Sequence, residues 1–217
     1  MATPHWLRSD EADLEGLTPV MRQVVELKRK HPNTLMFVRL GDFYELFFED
    51  ALVAAPLLDM VLTSRNKDAP RPIPMCGFPH HALSGYVQRA IEEGQRVAVC
   101  EQLEDPRKVK GMVKRGVTRV ITPGVVLEDE ALDRRRSNNL VCLVAGANGA
   151  LGLAMADVST GDFRHTAVRH VTALAVLLVR LEPRELLLAE PLLAVVQSVP
   201  AARGVPVTQR EVPASLR

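Results

Sequence analysis

A charged interval that carries almost no core-forming residues divides this chain into two parts. Residues 128–139 read Glu-Asp-Glu-Ala-Leu-Asp-Arg-Arg-Arg-Ser-Asn-Asn, and such a polar segment is typical of a connection between domains. The chain has 217 residues, 47% hydrophobic and 24% charged, as in an ordinary globular protein. We therefore expect a mixed α/β fold in two domains. The predicted divisions are an N-terminal arm over 1–16, a first domain over 17–127, a linker over 128–138 and a second domain over 139–217.

The first domain alternates helical and extended patterns. Thr18 is a good N-cap and Pro19 suits the first helical position, so we expect a helix that ends in the basic run 28–30. The apolar run 35–40 predicts a buried strand. Further predicted elements are a helix over 42–60, an extended piece at 62–65, a proline-rich loop over 66–81, a helix over 83–93, and strands over 96–101 and 117–121.

The second domain begins with the signature of a β-hairpin. Two apolar runs, 140–145 and 151–157, flank the turn sequence Gly-Ala-Asn-Gly at 146–149, which predicts two antiparallel strands. Three antiparallel strands, a helix and a further strand indicate a ribonuclease-H-like layer, here incomplete because a closing helix is not evident. The predicted elements after the hairpin are a strand over 163–168, a helix over 172–181, a strand over 185–189 and a short helix over 191–199.

Charge and cysteine content narrow the class of protein. The net charge is +1, so contact with nucleic acid would need local basic patches. Cys76, Cys100 and Cys142 are odd in number and far apart, which fits a reducing cytosol and neither a disulfide framework nor a zinc site. The sequence shows no signal peptide and no apolar run of membrane-spanning length. We expect a soluble, cytoplasmic protein without a membrane partner.

The stretch from Gly41 to Phe47, Gly-Asp-Phe-Tyr-Glu-Leu-Phe, holds three aromatic residues in a chain that is only 4% aromatic. Two interpretations are open. In the first, Asp42 and Glu45 form a capping box at a helix start, and Glu45 is structural. In the second, Phe43 is an exposed wedge and Glu45 is a carboxylate beside it, a pair that suits a nucleobase. The aromatic residues expected in the core of this helix are Tyr44, Phe47 and Phe48.

Basic residues cluster at two other places in the first domain. The stretch 106–119 has no acidic residue, and the proline-rich loop is also basic. Such patches can hold a phosphate backbone by charge attraction, although charge runs are more often solvated loops. Together with an exposed aromatic residue they fit a protein that enters a DNA groove and unstacks a base step. The basic residues concerned are Arg107, Lys108, Lys110, Lys114, Arg115 and Arg119, and Arg65, Lys67 and Arg71.

An enzymatic function is poorly supported by the sequence. There is no Gly-x4-Gly-Lys-Ser/Thr loop to cradle phosphates. Asp157 and Asp162 flank a turn, and a metal nuclease would need further converging carboxylates. The adjacent His80 and His81 would diverge on a strand or a helix, so we expect no metal site.

Five motifs, in this order, resemble the MutS family of DNA mismatch repair proteins, and the similarity covers most of residues 17–126. Residues 138–190 resemble the ribonuclease-H-like connector domain of that family, most clearly at 156–163. The sequence departs from the family pattern at two positions. One is Val38, and the other is His80, a position at which the family commonly has tyrosine. The five motifs are Thr-Pro-Val-Met-Arg-Gln at 18–23, Gly-Asp-Phe-Tyr-Glu-Leu-Phe at 41–47, Ile-Pro-Met-Cys-Gly-Phe-Pro-His-His-Ala at 73–82, Val-Ala-Val-Cys-Glu-Gln at 97–102 and Arg-Val-Ile-Thr-Pro-Gly at 119–124.

The resemblance implies recognition of mispaired and unpaired bases in duplex DNA by the first domain, followed by a truncated connector domain. It implies that Phe43 wedges into the minor groove and stacks on the mispaired base, and that Glu45 hydrogen-bonds to that base. The residues we expect to contact DNA are Phe43, Glu45, Arg39, Arg65, Met75, Pro79, Lys108 and Lys110.

The resemblance also implies partners and cofactors. The partners are duplex DNA with mismatches or small loops, MutL, and a second copy of the full-length protein. ATP and Mg²⁺ belong to the C-terminal ATPase domain of the family, which this chain lacks, so we expect no cofactor and no enzymatic activity in the chain itself. The alternative is a MutS-like homologue that binds DNA junctions or other proteins without reading mismatches.

Overall fold

The fold is described from a computed structural model of the chain. It describes residues 8–9, 12, 14–104, 109, 111–125 and 137–211. The chain divides into two compact units, Met1–Ile121 and Thr122–Arg217. Most of the predicted arm and linker lies outside the described residues.

Within the described residues, the first unit is a mixed six-stranded sheet with three helices. The strand order is β3-β4-β2-β1-β5-β6. The pair β1 and β5 is parallel, and the other neighbouring strands are antiparallel. The elements are α1 (Pro19–Lys30), β1 (Leu35–Leu40), β2 (Phe43–Phe47), α2 (Phe48–Leu57), β3 (Thr63–Arg65), β4 (Ile73–Pro79), α3 (Leu83–Glu92), β5 (Val97–Gln102) and β6 (Arg115–Ile121).

Helix α1 begins where the capping signals Thr18 and Pro19 predict it. The Thr18 side chain accepts a hydrogen bond from the Met21 amide, and Pro19 is the first helical residue. The basic side chains of the last turn lie near the negative end of the helix dipole. Its buried stripe includes Met21, Val24 and Val25, which pack on one face of the sheet.

The predicted helix over 42–60 is wrong in its first part. Residues Phe43–Phe47 form strand β2, and the helix begins only at Phe48. The capping-box interpretation is therefore wrong as well: the N-cap of α2 is Phe47, and it makes no side-chain capping bond. The physical reason is long-range, because β2 is hydrogen-bonded to β1 on one side and to β4 on the other.

The predicted proline-rich loop over 66–81 also contains a strand. Residues Ile73–Pro79 form β4, which lies between β3 and β2. Proline is usually excluded from strand interiors because it lacks the backbone donor. Here pairing with two neighbouring strands outweighs the local composition.

The two faces of this sheet are covered by different elements. Met36, Val38 and Phe47 pack with α1 in one core cluster. On the other face Phe78 stacks on Tyr86 of α3, with ring centroids 4.0 Å apart. Cys76 lies against α2 on that same face, where its thiol contacts the Ala51 carbonyl.

The second unit contains the expected ribonuclease-H-like arrangement. Its sheet order within the described residues is β9-β8-β7-β10-β11. The first three strands in sequence are antiparallel, and β10 and β11 are parallel additions beside β7. The elements are β7 (Asn139–Ala145), β8 (Leu151–Asp157), β9 (Asp162–Val168), α4 (Val171–Leu181), β10 (Glu185–Leu188), α5 (Leu193–Gln197) and β11 (Val207–Gln209).

The predicted hairpin, the third strand, the helix and the fourth strand are confirmed, whereas β11 was not predicted. Strand β11 has only three residues, too few for an apolar pattern to stand out. No helix in the described parts of the chain has both the length and the apolar character needed to cross a membrane.

Candidate nucleic-acid interface

Phe43 and Glu45 lie on the same face of β2. Side chains alternate across a strand, so residues two apart point to one side. Phe43 is 47% exposed although it belongs to an interior strand. Glu45 is half-buried, and Tyr44 between them is only 2% exposed and points into the core. The strand thus presents an aromatic ring and a carboxylate side by side.

Cross-strand pairing extends this face onto β4. Phe43 lies opposite Pro79, Glu45 opposite Gly77, and Phe47 opposite Met75. Pro79 is exposed, whereas Met75 is partly buried against the core under α1. Helix α1 therefore covers the end of the face at Phe47 and leaves the end at Phe43 and Pro79 open.

Arg65 of β3 also belongs to this face. Its guanidinium Nη1 lies 3.6 Å from Oε2 of Glu45, with side-chain exposures of 36% and 23% for the arginine and the glutamate. The Glu45 Oε2 atom is buried and has no hydrogen-bond donor among the described residues. Burial raises the pKa of Glu45, and the positive charge of Arg65 offsets part of that rise. The carboxylate is thus an acceptor whose hydrogen-bonding capacity is not used up.

Sequence reasoning missed the contribution of Gly77. A Cβ atom at Gly77 would stand 2.7 Å from the Tyr44 carbonyl oxygen and 3.3 Å from Cγ of Glu45. A glycine inside a strand often marks a close approach. This meaning of Gly77 can be recognised only when residues 73–79 are assigned to a strand, whereas the sequence predicted a loop there.

The turn before β2 holds Phe43 at the tip of a hairpin. Gly41 has a φ of +62°, and Leu40 pairs directly with Phe43 across the two-residue loop. Glycine is favoured where a hairpin loop needs positive φ. The His80 amide donates to the Asp42 carbonyl at 2.8 Å, which ties the tip to the end of β4.

The structure does not bring Arg39 to the face of Phe43. Arg39 pairs with Tyr44, so its side chain lies on the opposite side of the sheet. There its guanidinium lies 5.6 Å from the centroid of the Tyr44 ring, and its Nε donates to the Gly41 carbonyl. Arg39 is nevertheless close to the hairpin tip along the chain.

The basic stretch 106–119 is described only in part. Lys108 and Lys110 lie outside the described residues. Lys114 and Arg119 are exposed. Arg115 is half-buried and donates to the carbonyls of Arg39 and Val113, so it supports the sheet edge.

Neither a cluster of metal ligands nor an activated thiol is found in the described part of the chain. Among the described residues, no three His, Cys, Asp or Glu side chains come together as metal ligands. Burial raises the pKa of Cys76 to about 12 and that of Cys100 to about 11, which disfavours thiolate nucleophiles. The face of Phe43 offers an exposed ring, a half-buried carboxylate and a guanidinium.

Comparison with known proteins assigns both units. The family model "MutS domain I" matches residues 18–130, and "MutS domain II" matches residues 138–213. The first match alone covers more than half of the chain.

Several DNA mismatch repair proteins named MutS are similar over most of this chain. The protein from Desulfatibacillum aliphaticivorans is 47% identical over 174 residues, 80% of this chain and 20% of the relative. The protein from Desulforamulus reducens is 45% identical over 196 residues, 89% of this chain and 23% of the relative. The protein from Myxococcus xanthus is 47% identical over 178 residues, 82% and 20% respectively. The chain thus spans about a fifth of the length of these relatives.

Proposed function

This chain belongs to the MutS family, and we propose that its first unit recognises mispaired and unpaired bases in duplex DNA, with Phe43 as the inserted aromatic wedge. The observation that carries the proposal is the exposure of Phe43, 47%, on a strand whose other aromatic residues are buried. An exposed aromatic ring beside a carboxylate and a guanidinium is a combination that a flat, polar ligand such as a nucleobase can cover, through stacking and hydrogen bonding.

Stacking explains why a phenyl ring can serve many mismatches. Base–aromatic stacking is worth about 1–3 kcal/mol per base and tolerates every base, because each has a π-face. Apolar side chains inserted from the minor groove unstack a base step and kink the duplex. A mismatch has already lost pairing energy, so kinking it costs less than kinking a matched pair.

Glu45 supplies the second half of the discrimination. Its carboxylate, 23% exposed at the side chain, can accept a hydrogen bond from a base N–H or from a protonated ring nitrogen. On matched DNA such a donor is held in base pairing, and the carboxylate then faces only phosphate charge. Glu45 therefore lowers affinity for the wrong ligand more than for the right one.

The experiment that tests the proposal compares binding of a mismatched and a matched duplex by the whole protein that contains this chain. Phe43→Ala should abolish the preference for the mismatch. Phe163→Ala is the matched control, because Phe163 is also an exposed aromatic residue, 64%, but lies in the second unit. A Phe43→Ala protein that keeps its mismatch preference would overturn the wedge. An unsubstituted protein without preference would favour junction or protein binding instead.

We also propose roles for the whole protein from its family membership. The connector domain would transmit the DNA-bound state to an ATPase domain and contact MutL, in a cytoplasmic, nucleoid-associated homodimer. We propose domain limits of 17–127 and 139–217, with residues 128–138 as the linker. Limited proteolysis should cut first within 128–138, and cleavage inside either domain at the same rate would contradict these limits.

A further inference from the structure

The ion pair between Arg65 and Glu45 joins two strands that are not neighbours. β4 lies between β3 and β2 in the sheet, so the Arg65 side chain must pass over β4 to meet Glu45. An arginine that bends across a strand toward a carboxylate is not extended toward solvent. About a third of its side chain, 36%, remains exposed.

The length of this contact matters. At 3.6 Å the atoms are close enough for charge attraction but too far apart for a normal hydrogen bond, whose N···O distance is about 2.7–3.2 Å. In agreement, Glu45 Oε2 has no hydrogen-bond partner among the described residues. Arg65 thus compensates the charge of the carboxylate without occupying its acceptor.

Gly77 provides the space in which Glu45 lies. The two residues are directly opposite each other on β4 and β2. A methyl group at Gly77 would approach Cγ of Glu45 to 3.3 Å and the Tyr44 carbonyl to 2.7 Å. Because the shorter contact is with the backbone of Tyr44, the strand would have to shift, and the Glu45 side chain would be displaced with it.

We propose that Arg65 and Gly77 are positioning residues for Glu45: Arg65 balances the charge of the carboxylate and holds it in place without donating a hydrogen bond to Oε2, and Gly77 permits the close approach of β4 to β2 on which the position of Glu45 depends. This inference rests on the proposed function of Glu45. It differs from a role of Arg65 as a simple phosphate contact, because a phosphate contact would act independently of Glu45.

The first test needs no DNA. The pKa of Glu45 is measured in the 217-residue chain by NMR titration of its carboxyl carbon. Arg65→Gln should raise the pKa of Glu45, because the positive charge that lowers it is removed. Arg71→Gln is the matched control, since Arg71 is an exposed arginine in the connection between β3 and β4, and it should leave the titration unchanged. An unchanged Glu45 titration in the Arg65→Gln chain would overturn the role of Arg65.

The second test is a double-mutant cycle in DNA binding by the whole protein. Arg65→Gln, Glu45→Gln and the double variant are compared on a matched duplex. Arg65→Gln should weaken binding about two- to fivefold more when Glu45 is present than in the E45Q background, the range expected for a partly exposed ion pair. Equal effects in both backgrounds would assign Arg65 to phosphate alone. A protein without mismatch preference would refute the proposed function, whereas the titration would still decide on the Arg65–Glu45 pair.

Gly77→Ala tests whether the missing side chain at position 77 is needed for the position of Glu45. It should change the carboxyl chemical shift of Glu45 and reduce mismatch preference. Gly85→Ala is the control, because a Cβ at Gly85 on α3 would meet open space. A Gly77→Ala chain that keeps both properties would show that the room is not needed. If that variant fails to fold, the Arg65 titration and cycle remain decisive for the pair.

Discussion

The hydroxyl of Tyr44 donates a hydrogen bond to the carboxylate of Glu101, on the side of the sheet opposite to Phe43. Tyr44 also stacks on Phe78, with ring centroids 5.7 Å apart and an interplanar angle of 30°. The one residue between the proposed wedge and the proposed acceptor is thus held in the core at both its ring and its hydroxyl. Tyr44 thus anchors β2 on one side of the sheet, while on the other side the end of the strand at Phe43 stays exposed.

Removing the Tyr44 hydroxyl should therefore destabilise the first unit. Tyr44→Phe is expected to lower the free energy of unfolding by about 1–2 kcal/mol, because a buried hydrogen bond to a carboxylate is lost. Urea unfolding measures this change. Tyr86→Phe is the control, since the structure gives the Tyr86 hydroxyl no hydrogen-bond partner among the described residues, and an equal loss in both variants would contradict the prediction.

The same contact predicts a dependence on alkaline pH. Burial, together with the hydrogen bond and negative charge of Glu101, raises the pKa of Tyr44 to about 12 from an ordinary value of 10.0. The folded state then keeps the phenol proton at a pH where the unfolded state has lost it. Its contribution to stability is complete below pH 10 and disappears as the pH rises to about 12. The difference in stability between the natural chain and Tyr44→Phe should shrink across this window, and a constant difference would speak against it.

The buried pair Lys28–Asp50 predicts a large effect of a single substitution. Lys28 Nζ lies 2.7 Å from Oδ1 of Asp50, and Oδ2 accepts from the Met36 amide at 2.9 Å. Burial raises the pKa of Asp50 to about 6, against the lowering influence of Lys28. Lys28→Met should cost about 3–5 kcal/mol, because it leaves a buried carboxylate without its partner.

Adding Asp50→Asn to Lys28→Met should recover part of that loss, since no charge then remains unpaired. Urea unfolding of the single and double variants measures the coupling. Strict additivity of the two substitutions would show that the pair does not act as a unit.

Removing the carboxylate of Glu45 should change matched DNA more than mismatched DNA. Glu45→Ala is expected to raise affinity for a matched duplex about fivefold, from the repulsion of about 1 kcal/mol between unit charges ~8 Å apart at an effective dielectric of about 40. The ratio of the affinities for mismatched and matched DNA should therefore fall. Glu26→Ala, an exposed acidic residue of α1, gives the same change in net charge and should not lower this ratio. Unchanged binding of matched DNA by Glu45→Ala would refute this role.

Local signals sufficed for much of the fold. The helix at Thr18–Pro19 and the hairpin around the Gly-Ala-Asn-Gly turn were predicted because caps and turns are encoded by adjacent residues. Strand β2 was misread as helix because Phe43–Phe47 fits either structure locally. What decides is its pairing with β4, about 30 residues further along the chain.

Exposure and burial of the aromatic side chains were predicted better than the element that carries them. Exposure of Phe43 and burial of Tyr44, Phe47 and Phe48 were expected and are found. Tyr44 faces away from Phe43 in a helix and in a strand alike, whereas Phe47 shares the face of Phe43 and is buried because α1 covers that end. The contribution of Gly77 escaped, since it depends on which residue lies opposite Glu45. Arg39 was expected to contact DNA together with Phe43 and Glu45, yet the alternation of β1 directs its side chain to the other face.

The interior position of β2 has a mechanical consequence. A strand with hydrogen-bonded neighbours on both sides can neither slide nor peel away without breaking two ladders at once. The ring of Phe43 and the carboxylate of Glu45 therefore stand on a stiff support with little compliance of its own. A DNA duplex bound at this surface would have to deform while the strand stays in place. Its affinity would then depend on how easily the duplex bends.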